Sequence, residues 1–225
     1  MCGRIIQSSE PLRLAIVDGL DVRDSRLTNV PRRYNGAPSQ DLLVIRRNHA
    51  TGERSLDLIR WGLIPSSCAD PKGGRKPINA RAESIASTPA FRDAYRARRC
   101  IVPVDGFFEW RATKGGRWPY AIAMKDGSPF GIAGIWENWR SPSGEWIRTF
   151  AVITVPANAL VAQIHDRMPA ILRPADYERW LGAEPDPRDL MITFPAEPMR
   201  MWPISRRVNS WENDDADLLT PVPQQ

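Results

Sequence analysis

Short apolar segments, interrupted by many prolines and glycines, are the main pattern along this chain of 225 residues. The 21 prolines and 15 glycines divide it into short pieces. Gly127 and the pair Ser143-Gly144 are predicted to form turns. Several pieces between such breaks are predicted to be strands, namely residues 42–47, 56–61, 100–104, 107–110, 120–124, 130–136 and 147–155.

A few segments are predicted to be helical. Residues 84–97 form the longest of them, although Pro89 has to lie near its first turn or else break it. Residues 176–181, which follow Pro174, and residues 186–191 are predicted to be short helices. Many short strands with few helices indicate an α+β fold with a mostly antiparallel, barrel-like sheet. The acidic stretch 212–217 is expected to be an exposed tail.

Composition places the chain among ordinary globular proteins, with 42% hydrophobic and 25% charged residues. It contains no apolar run of membrane-spanning length and no apolar core of a signal peptide, so we expect a cytoplasmic protein with no membrane partner. Cys2, Cys68 and Cys100 are widely spaced, and His49 and His165 are the only histidines. This pattern argues against a metal site or a disulfide framework, and we expect no cofactor.

The charge indicates an anionic partner. The net charge is +5, the pI is near 9.4, and arginine supplies most of the positive charge. Arginine suits phosphate geometry, so nucleic acid is a candidate partner, and a solvated basic surface is the alternative. The nine tryptophans could stack on unpaired bases, although most should lie in the core. The basic, glycine-rich loop 70–76 lacks the ending of a phosphate-binding loop and is predicted to be a flexible surface loop.

The second residue is the most informative candidate for chemistry. If Met1 is removed, Cys2 carries a free α-amine and a thiol on adjacent carbons. The amine can condense with an aldehyde to an imine, and the thiol can then close onto that imine to give a thiazolidine ring. The alternative is a cysteine that simply serves as a small buried hydrophobic residue.

Other segments supply polar groups that such a condensation needs. Asn79 and Arg81 would share one face of an extended segment, although a lone asparagine is more often a turn or helix-cap residue. Glu109 lies among aromatic residues at the end of an apolar strand, where a carboxyl group suits proton transfer; an ordinary strand-end glutamate is the alternative.

Two further segments contain candidate side chains. His165 is followed by Asp166 and Arg167, which makes a proton-transfer role more plausible than for an isolated histidine, although lone histidines are usually structural. His49 is predicted to lie in a hairpin loop, and Asn35 lies in a polar loop that leads to a strand.

Several short motifs, taken together and in this order, make the chain resemble the SRAP family, the SOS-response-associated peptidase-like proteins. Each motif is short, but the ordered set is specific and spans most of the chain. The motifs are Met1-Cys2-Gly3-Arg4, Tyr34-Asn35-Gly36-Ala37-Pro38, Trp61-Gly62-Leu63-Ile64-Pro65, Asn79-Ala80-Arg81-Ala82-Glu83, residues 100–110 and His165-Asp166-Arg167-Met168-Pro169.

The resemblance implies one α+β domain over residues 1–225 that binds abasic sites in single-stranded DNA, with about 212–225 as the acidic tail, and we expect a monomer. It implies that Cys2 forms the thiazolidine, Asn79 orients the N-terminal residue or the opened sugar, Glu109 acts as acid and base, and His165 assists the sugar oxygen. The residues implied to hold the DNA backbone are Arg4, Asn35, Arg81 and Arg167.

The chain departs from the family pattern at two places. Ser66-Ser67-Cys68 follows a motif after which tryptophan is frequent, so a residue that stacks on DNA bases is expected to be absent. Phe108 occupies a position where tyrosine is frequent, so a hydroxyl group near Glu109 is expected to be lost.

Three activities besides capture stay open from the sequence. Cys2 could be the N-terminal nucleophile of a cysteine peptidase or amidohydrolase, with Glu109 or His165 as its base. The protein could instead bind single-stranded nucleic acid without any chemistry. A strand-cleaving lyase activity could accompany capture, because an imine at the sugar carbon promotes β-elimination, and removal of Met1 could be autocatalytic.

Overall fold

The computed structural model describes residues 2–16, 30–48, 51–69 and 76–223. His49, Met1 and residues 70–75 of the predicted surface loop lie outside this part of the chain. The helices are α1 Pro11–Leu14, α2 Arg92–Ala97 and α3 Tyr177–Leu181. The strands are β1 Ile5–Gln7, β2 Arg33–Gly36, β3 Asp41–Arg47, β4 Arg54–Trp61, β5 Asn79–Arg81, β6 Arg99–Val104, β7 Gly106–Thr113, β8 Gly116–Met124, β9 Phe130–Arg140, β10 Trp146–Pro156, β11 Arg167–Pro169, β12 Ile171–Leu172 and β13 Met199–Pro203.

Five strands close into a barrel. Strand β3 pairs with β4 and β6, β6 pairs with β9, and β10 closes the ring by pairing with both β9 and β4. Every pair is antiparallel except β4 with β10. Large apolar side chains fill the interior; Trp61 stacks on Phe150 with ring centroids 5.9 Å apart. A closed ring leaves no free edge among these strands.

Strand β10 extends beyond the residues that pair within the barrel, and its second half pairs with two further short strands. Residues 152–154 pair with β5 in parallel, and residues 154–156 pair with β11 in an antiparallel manner. The two short strands therefore lie on opposite sides of one strand. This arrangement places Asn79 and Arg81 on one side of β10 and the segment after His165 on the other.

A second sheet, with strand order β13-β8-β7-β1-β2, packs beside the barrel. The buried amide of Gln7 connects the two parts: its Nε2 donates to the carbonyl oxygens of Leu43 and Pro103, each at 2.8 Å, and its Oε1 accepts from the Leu43 N–H. Because a buried amide costs free energy unless it is fully hydrogen-bonded, these three bonds restrict how β1 can sit on the barrel.

The C-terminal segment packs on the outer face of the second sheet, so the acidic stretch 212–217, which was expected to be exposed, is exposed only in part, as at Glu212 and Asp217. Val208 and Leu218 are fully buried against Phe108. Asp214 accepts the backbone N–H of Asn35 at 2.8 Å, so part of the acidic stretch is tied to β2. Apolar residues at 204, 208 and 218 drive this packing, which the charge of the stretch alone does not reveal.

The predicted fold class and the predicted strands are confirmed. The prediction of one long helix over residues 84–97 is wrong, because only Arg92–Ala97 is helical. Before this helix, the segment forms turns, and the backbone N–H and the hydroxyl of Thr88 both bond to the Ser84 carbonyl. Pro89 follows and has no N–H to donate to a helical hydrogen bond.

The other two helix predictions fare better. The helix predicted over residues 176–181 is α3, Tyr177–Leu181, preceded by the 3₁₀ turn Pro174–Asp176. The helix predicted over residues 186–191 is only the 3₁₀ turn Arg188–Leu190. In the described part of the chain, no helix is long and apolar enough to cross a membrane.

The first prediction concerns the packing of β7. A Cβ atom at Gly106 would lie 2.6 Å from the backbone oxygen of Ile122 and 3.1 Å from Ile6 Cδ1. Since neither the strand backbone nor the core can easily move, we expect Gly106→Ala to lower the free energy of unfolding in urea by about 1–3 kcal/mol. Gly115→Ala is the control, because its Cβ would meet nothing closer than 4.0 Å. Equal stability of the two variants would contradict this packing.

Candidate active site around Cys2

The pairing of β1 with β7 brings the N-terminus to Glu109. Ile5 lies opposite Phe107, and Ile6 lies opposite Gly106. The N–H of Phe108 donates to the Arg4 carbonyl at 3.1 Å, so the pairing continues toward the N-terminus. Cys2 lies three residues before Ile5, and its thiol is close enough to Glu109 for the carboxylate charge to act on it.

Cys2 is fully buried, and its thiol is held in the neutral form. Burial raises the pKa of Cys2 to about 12, and the negative charge of Glu109 adds to this shift. The sulfur lies 3.8 Å from the Arg4 carbonyl oxygen. Burial alone would fit a structural cysteine, but a structural cysteine does not need a buried carboxyl group and a buried amide beside it.

Glu109 lies almost entirely inside the protein, with 3% of its surface exposed. Its Oε1 accepts the backbone N–H of Trp110 at 3.1 Å. It shares one face of β7 with Phe107, which packs in the main core, because alternate side chains of a strand point the same way. The predicted carboxyl group in apolar surroundings is thus observed.

Asn79 holds the backbone of Cys2. Its Nδ2 donates to the Cys2 carbonyl oxygen at 2.9 Å, and it lies in β5 opposite Val152 of β10. The alternative of a helix cap is therefore excluded. Its Oδ1 is buried without a donor among the described residues, so it can accept a hydrogen bond from a group that enters the site.

His165 precedes β11, and its ring orientation follows from the backbone beside it. The backbone N–H of Arg167 donates to His165 Nδ1 at 2.9 Å. The Arg167 carbonyl oxygen lies 3.2 Å from the same Nδ1, but the contact with the N–H is shorter, which favours a lone pair on Nδ1 and the ring proton on Nε2. The Asp166 carboxylate lies 3.0 Å from the same Nδ1, but it is 87% exposed and can turn into water. His165 thus offers an Nε2–H donor.

The two terminal nitrogens of the Arg167 guanidinium donate to protein groups in this structure, and its expected contact with DNA stays a prediction. Its guanidinium donates to both carboxylate oxygens of Glu83, at 2.5 and 2.9 Å, and to the Thr154 carbonyl at 2.6 Å. These hydrogen bonds lower the pKa of Glu83. Only 12% of the Arg167 side chain is exposed. It anchors the backbone N–H that orients His165.

Asn35 has a structural role in the protein, and its expected contact with DNA stays a prediction. Its side chain is fully buried, and Nδ2 donates to the carbonyls of Val208, Ser210 and Asn213 at 3.1, 3.0 and 2.9 Å. It ties β2 to the C-terminal segment.

The two remaining predicted arginines differ from each other. Arg4 is half-buried; it donates to the carbonyls of Gly3 at 3.1 Å and Asn209 at 3.3 Å, and burial lowers its pKa. Arg81 is exposed on β5, two residues after Asn79 and on the same face. Of the four residues expected to hold DNA, Arg81 has the most accessible guanidinium.

Some residues near the site were missed or misjudged from the sequence. The Asn209 side chain accepts the Trp110 Nε1–H at 2.8 Å, and the Asn209 carbonyl accepts a hydrogen bond from the Arg4 guanidinium. In the sequence, the segment around Asn209 shows only the positive charge of Arg206 and Arg207. Phe108 points into the outer core with Val208, on the face of β7 opposite Glu109. A tyrosine hydroxyl at position 108 would therefore point away from Glu109.

The comparison with known proteins gives the family. A model of the family described as SOS response associated peptidase (SRAP) matches residues 1–211. The chain belongs to this family. The match reaches across the barrel, the second sheet and the segment that contains Asn209, so the elements that carry the site all lie within it.

Relatives from distant organisms share the name abasic site processing protein. YoqW of Bacillus subtilis is 39% identical over 191 residues, with 83% of this chain and 84% of that protein covered. YedK of Escherichia coli is 30% identical, with coverage of 99% and 100%. HMCES of Gallus gallus is 33% identical, with coverage of 84% and 66%. A crystal structure of a Bacteroides thetaiotaomicron protein has a TM-score of 0.87 at 27% identity, covering 99% of this chain and 100% of that one.

The second prediction tests the structural role of Asn35. Asn35→Ala would leave buried carbonyls of the C-terminal segment without a donor, so we expect a loss of about 2–3 kcal/mol in the free energy of unfolding. Gln163→Ala removes an exposed amide of similar chemistry and should have little effect. Unchanged stability together with weakened DNA binding would instead assign Asn35 to the DNA contact.

The third prediction tests the link from Arg167 to His165. Nitrogen NMR at a pH where the ring is neutral should show the proton on Nε2. Arg167→Ala should give a mixture of both tautomers, because the loop loses its anchor on Glu83 and Thr154. Arg81→Ala, a change on the neighbouring short strand, should leave the tautomer unaltered. A proton found on Nδ1 in the unchanged protein would refute this assignment.

Proposed function

We propose that the protein captures abasic sites in single-stranded DNA by forming a thiazolidine at Cys2 after Met1 is removed. Abasic site processing is what the names of YoqW, YedK and HMCES state for those relatives. For this chain, the observation that carries the proposal is the enclosure of Cys2 between two groups. Asn79 holds its carbonyl at 2.9 Å, and the buried Glu109 lies close enough to affect its thiol.

The chemistry that these groups support begins with the α-amine. An abasic sugar equilibrates with an open-chain aldehyde, and the Cys2 amine adds to its carbonyl carbon. Glu109, as the general acid, passes a proton to the departing hydroxyl, so that one water leaves and an iminium remains. The thiol proton then passes to the Glu109 carboxylate while sulfur bonds to the iminium carbon. One C–N and one C–S bond replace the C=O bond, and no oxidant is required.

The raised pKa of the thiol suits this order of events. A thiol that stays neutral near pH 7 does not compete with the amine for the aldehyde, because the thiolate is the reactive nucleophile. It becomes reactive when the Glu109 carboxylate forms beside it.

His165, Arg81 and Arg4 would supply the remaining roles. The Nε2–H of His165 would donate to the sugar oxygen as the ring opens, and Arg81 would meet a phosphate next to the lesion. Arg4 would keep the N-terminal segment near Asn209. Because a lesion has no base to read, recognition should depend on backbone contacts and strand flexibility, which favours a single strand over a duplex.

A lyase side reaction would share the imine intermediate. Abstraction of a proton from the sugar carbon beside the imine would cleave the strand by β-elimination. The thiol of Cys2 is part of the same residue as the amine, so ring closure has the advantage of proximity and should outrun cleavage.

The fourth prediction is that processed protein and an abasic oligonucleotide form an adduct that survives heating without a reductant. Cys2→Ser should retain the amine and give only a Schiff base, which heating destroys unless borohydride is present. Glu109→Gln should slow adduct formation about 100-fold or more, as expected for loss of a general acid and base. An extra residue ahead of Cys2 should abolish the adduct, because the amine becomes an amide.

Cys68→Ala is the matched control, since Cys68 is a free and partly exposed thiol away from the N-terminus. It should react at the rate of the unchanged protein. A heat-stable adduct that persists in Cys2→Ala would overturn the assignment of the nucleophile.

A further inference from the structure

The strand that carries Glu109 continues outward as one arm of a hairpin. Strands β7 and β8 pair from Gly106 to Thr113, and the turn 113–116 closes them. Phe107 is in the core and Glu109 borders Cys2, whereas Arg111, the next residue on the same face, is exposed. Directly opposite Arg111 lies Trp118. Because cross-strand pairs point to the same side of a sheet, one face leads from the proposed reaction centre to the hairpin.

The hairpin is positively charged, and its charges are not neutralised. Residues 110–118 contain Arg111, Lys114 and Arg117 and no carboxylate. All three cations are exposed, and none forms an ion pair within the part of the chain that the structure describes. Arg179, by contrast, is exposed but bonds to Glu184 and Asp189. Unpaired cations grouped on one element raise the local potential for an anionic ligand.

An aromatic platform lies among these cations. The Arg206 guanidinium lies over the ring of Trp118, 4.7 Å from its centroid, and donates to the Gly115 carbonyl at 3.1 Å. A fourth cation is thereby held against the hairpin. The Trp118 Nε1–H is buried without an acceptor among the described residues, although buried indole N–H groups usually have one. An arriving phosphate or base oxygen would satisfy it.

We infer that this hairpin face binds the single-stranded DNA that flanks the lesion, an inference that rests on the proposed function. Phosphates would lie along Arg111 and Arg206 on the face of Trp118. Lys114 and Arg117 would meet the DNA at the outer end, although Arg117, which lies opposite Ala112, projects from the other face of the hairpin. Glu109 and Thr113 are four residues apart, which corresponds to about 13 Å along a strand. That length covers at most about four stacked nucleotides, so the hairpin should hold a short flank on one side of the lesion only.

The fifth prediction therefore concerns non-covalent affinity. Replacement of Arg111, Lys114 and Arg117 by serine should weaken binding of intact single-stranded DNA roughly 10- to 100-fold at 0.1 M salt. It should also reduce the slope of log affinity against log salt by about 2, since each phosphate contact contributes about 0.7. Fluorescence anisotropy over a salt series measures both quantities, and circular dichroism checks that the variants fold.

The control removes the same charge elsewhere. Arg96, Lys125 and Arg148 are exposed cations on other elements, and their joint replacement by serine should change affinity less than threefold. Screening limits the reach of an exposed charge to about 10 Å at this salt concentration. Equal loss of affinity in the two triple variants would overturn the inference, because it would show only a general effect of net charge.

Oligonucleotides with a six-nucleotide flank on one side of the abasic site test the direction. The hairpin variant should bind one polarity as the unchanged protein does and the other more weakly; equal weakening of both polarities would also overturn the inference. Binding of intact DNA needs no reaction at Cys2. If the unchanged protein forms no adduct but the hairpin variant still loses affinity, the proposed function fails and the hairpin inference stands. If adducts form and the two triple variants bind alike, only the hairpin inference fails.

Discussion

The antiparallel register between β1 and β7 is the constraint on which the rest of the site depends. Ile5, three residues after Cys2, lies opposite Phe107, and this pairing brings the N-terminal segment to the strand that contains Glu109. If β7 shifted by one residue relative to β1, Glu109 would point toward the outer core that contains Val208. Cys2 would then border the other face of β7. The Gln7 amide, bonded to Leu43 and Pro103, resists such a shift because slippage would leave buried polar groups unpaired.

The barrel contributes to the same place through β10. Its second half carries β5 on one side and β11 on the other, so that Asn79 and the loop of His165 are fixed by the same strand. Two parts of the fold therefore meet at Cys2: the second sheet supplies Glu109, and β5, paired with β10, supplies Asn79. Such rigid placement favours a reaction that needs an amine, a thiol and a proton carrier to act in order.

Much of the fold and of the candidate site was predictable from the sequence. The features that were not predictable have identifiable physical causes. Apolar runs between prolines and glycines predicted the long strands, because each run is buried and long enough to pair. The three-residue strands β1, β5 and β11 are too short to leave a pattern, and tertiary pairing creates them. Cys2, Asn79 and Glu109 could be named from motifs. The motifs could not show that the side chains of Asn35 and Arg167 donate hydrogen bonds to groups within the protein. A backbone carbonyl acceptor leaves no pattern in the sequence.

The central claim is that the amine and the sulfur of one residue both bond to the same sugar carbon. Peptide mass spectrometry of the purified protein–DNA adduct, after nuclease digestion, tests it most directly. We predict an N-terminal peptide that begins at Cys2, carries the sugar remnant with loss of one water, and has no thiol left for alkylation. A peptide that keeps Met1, or a remnant attached to another residue with the Cys2 thiol still free, would contradict the account.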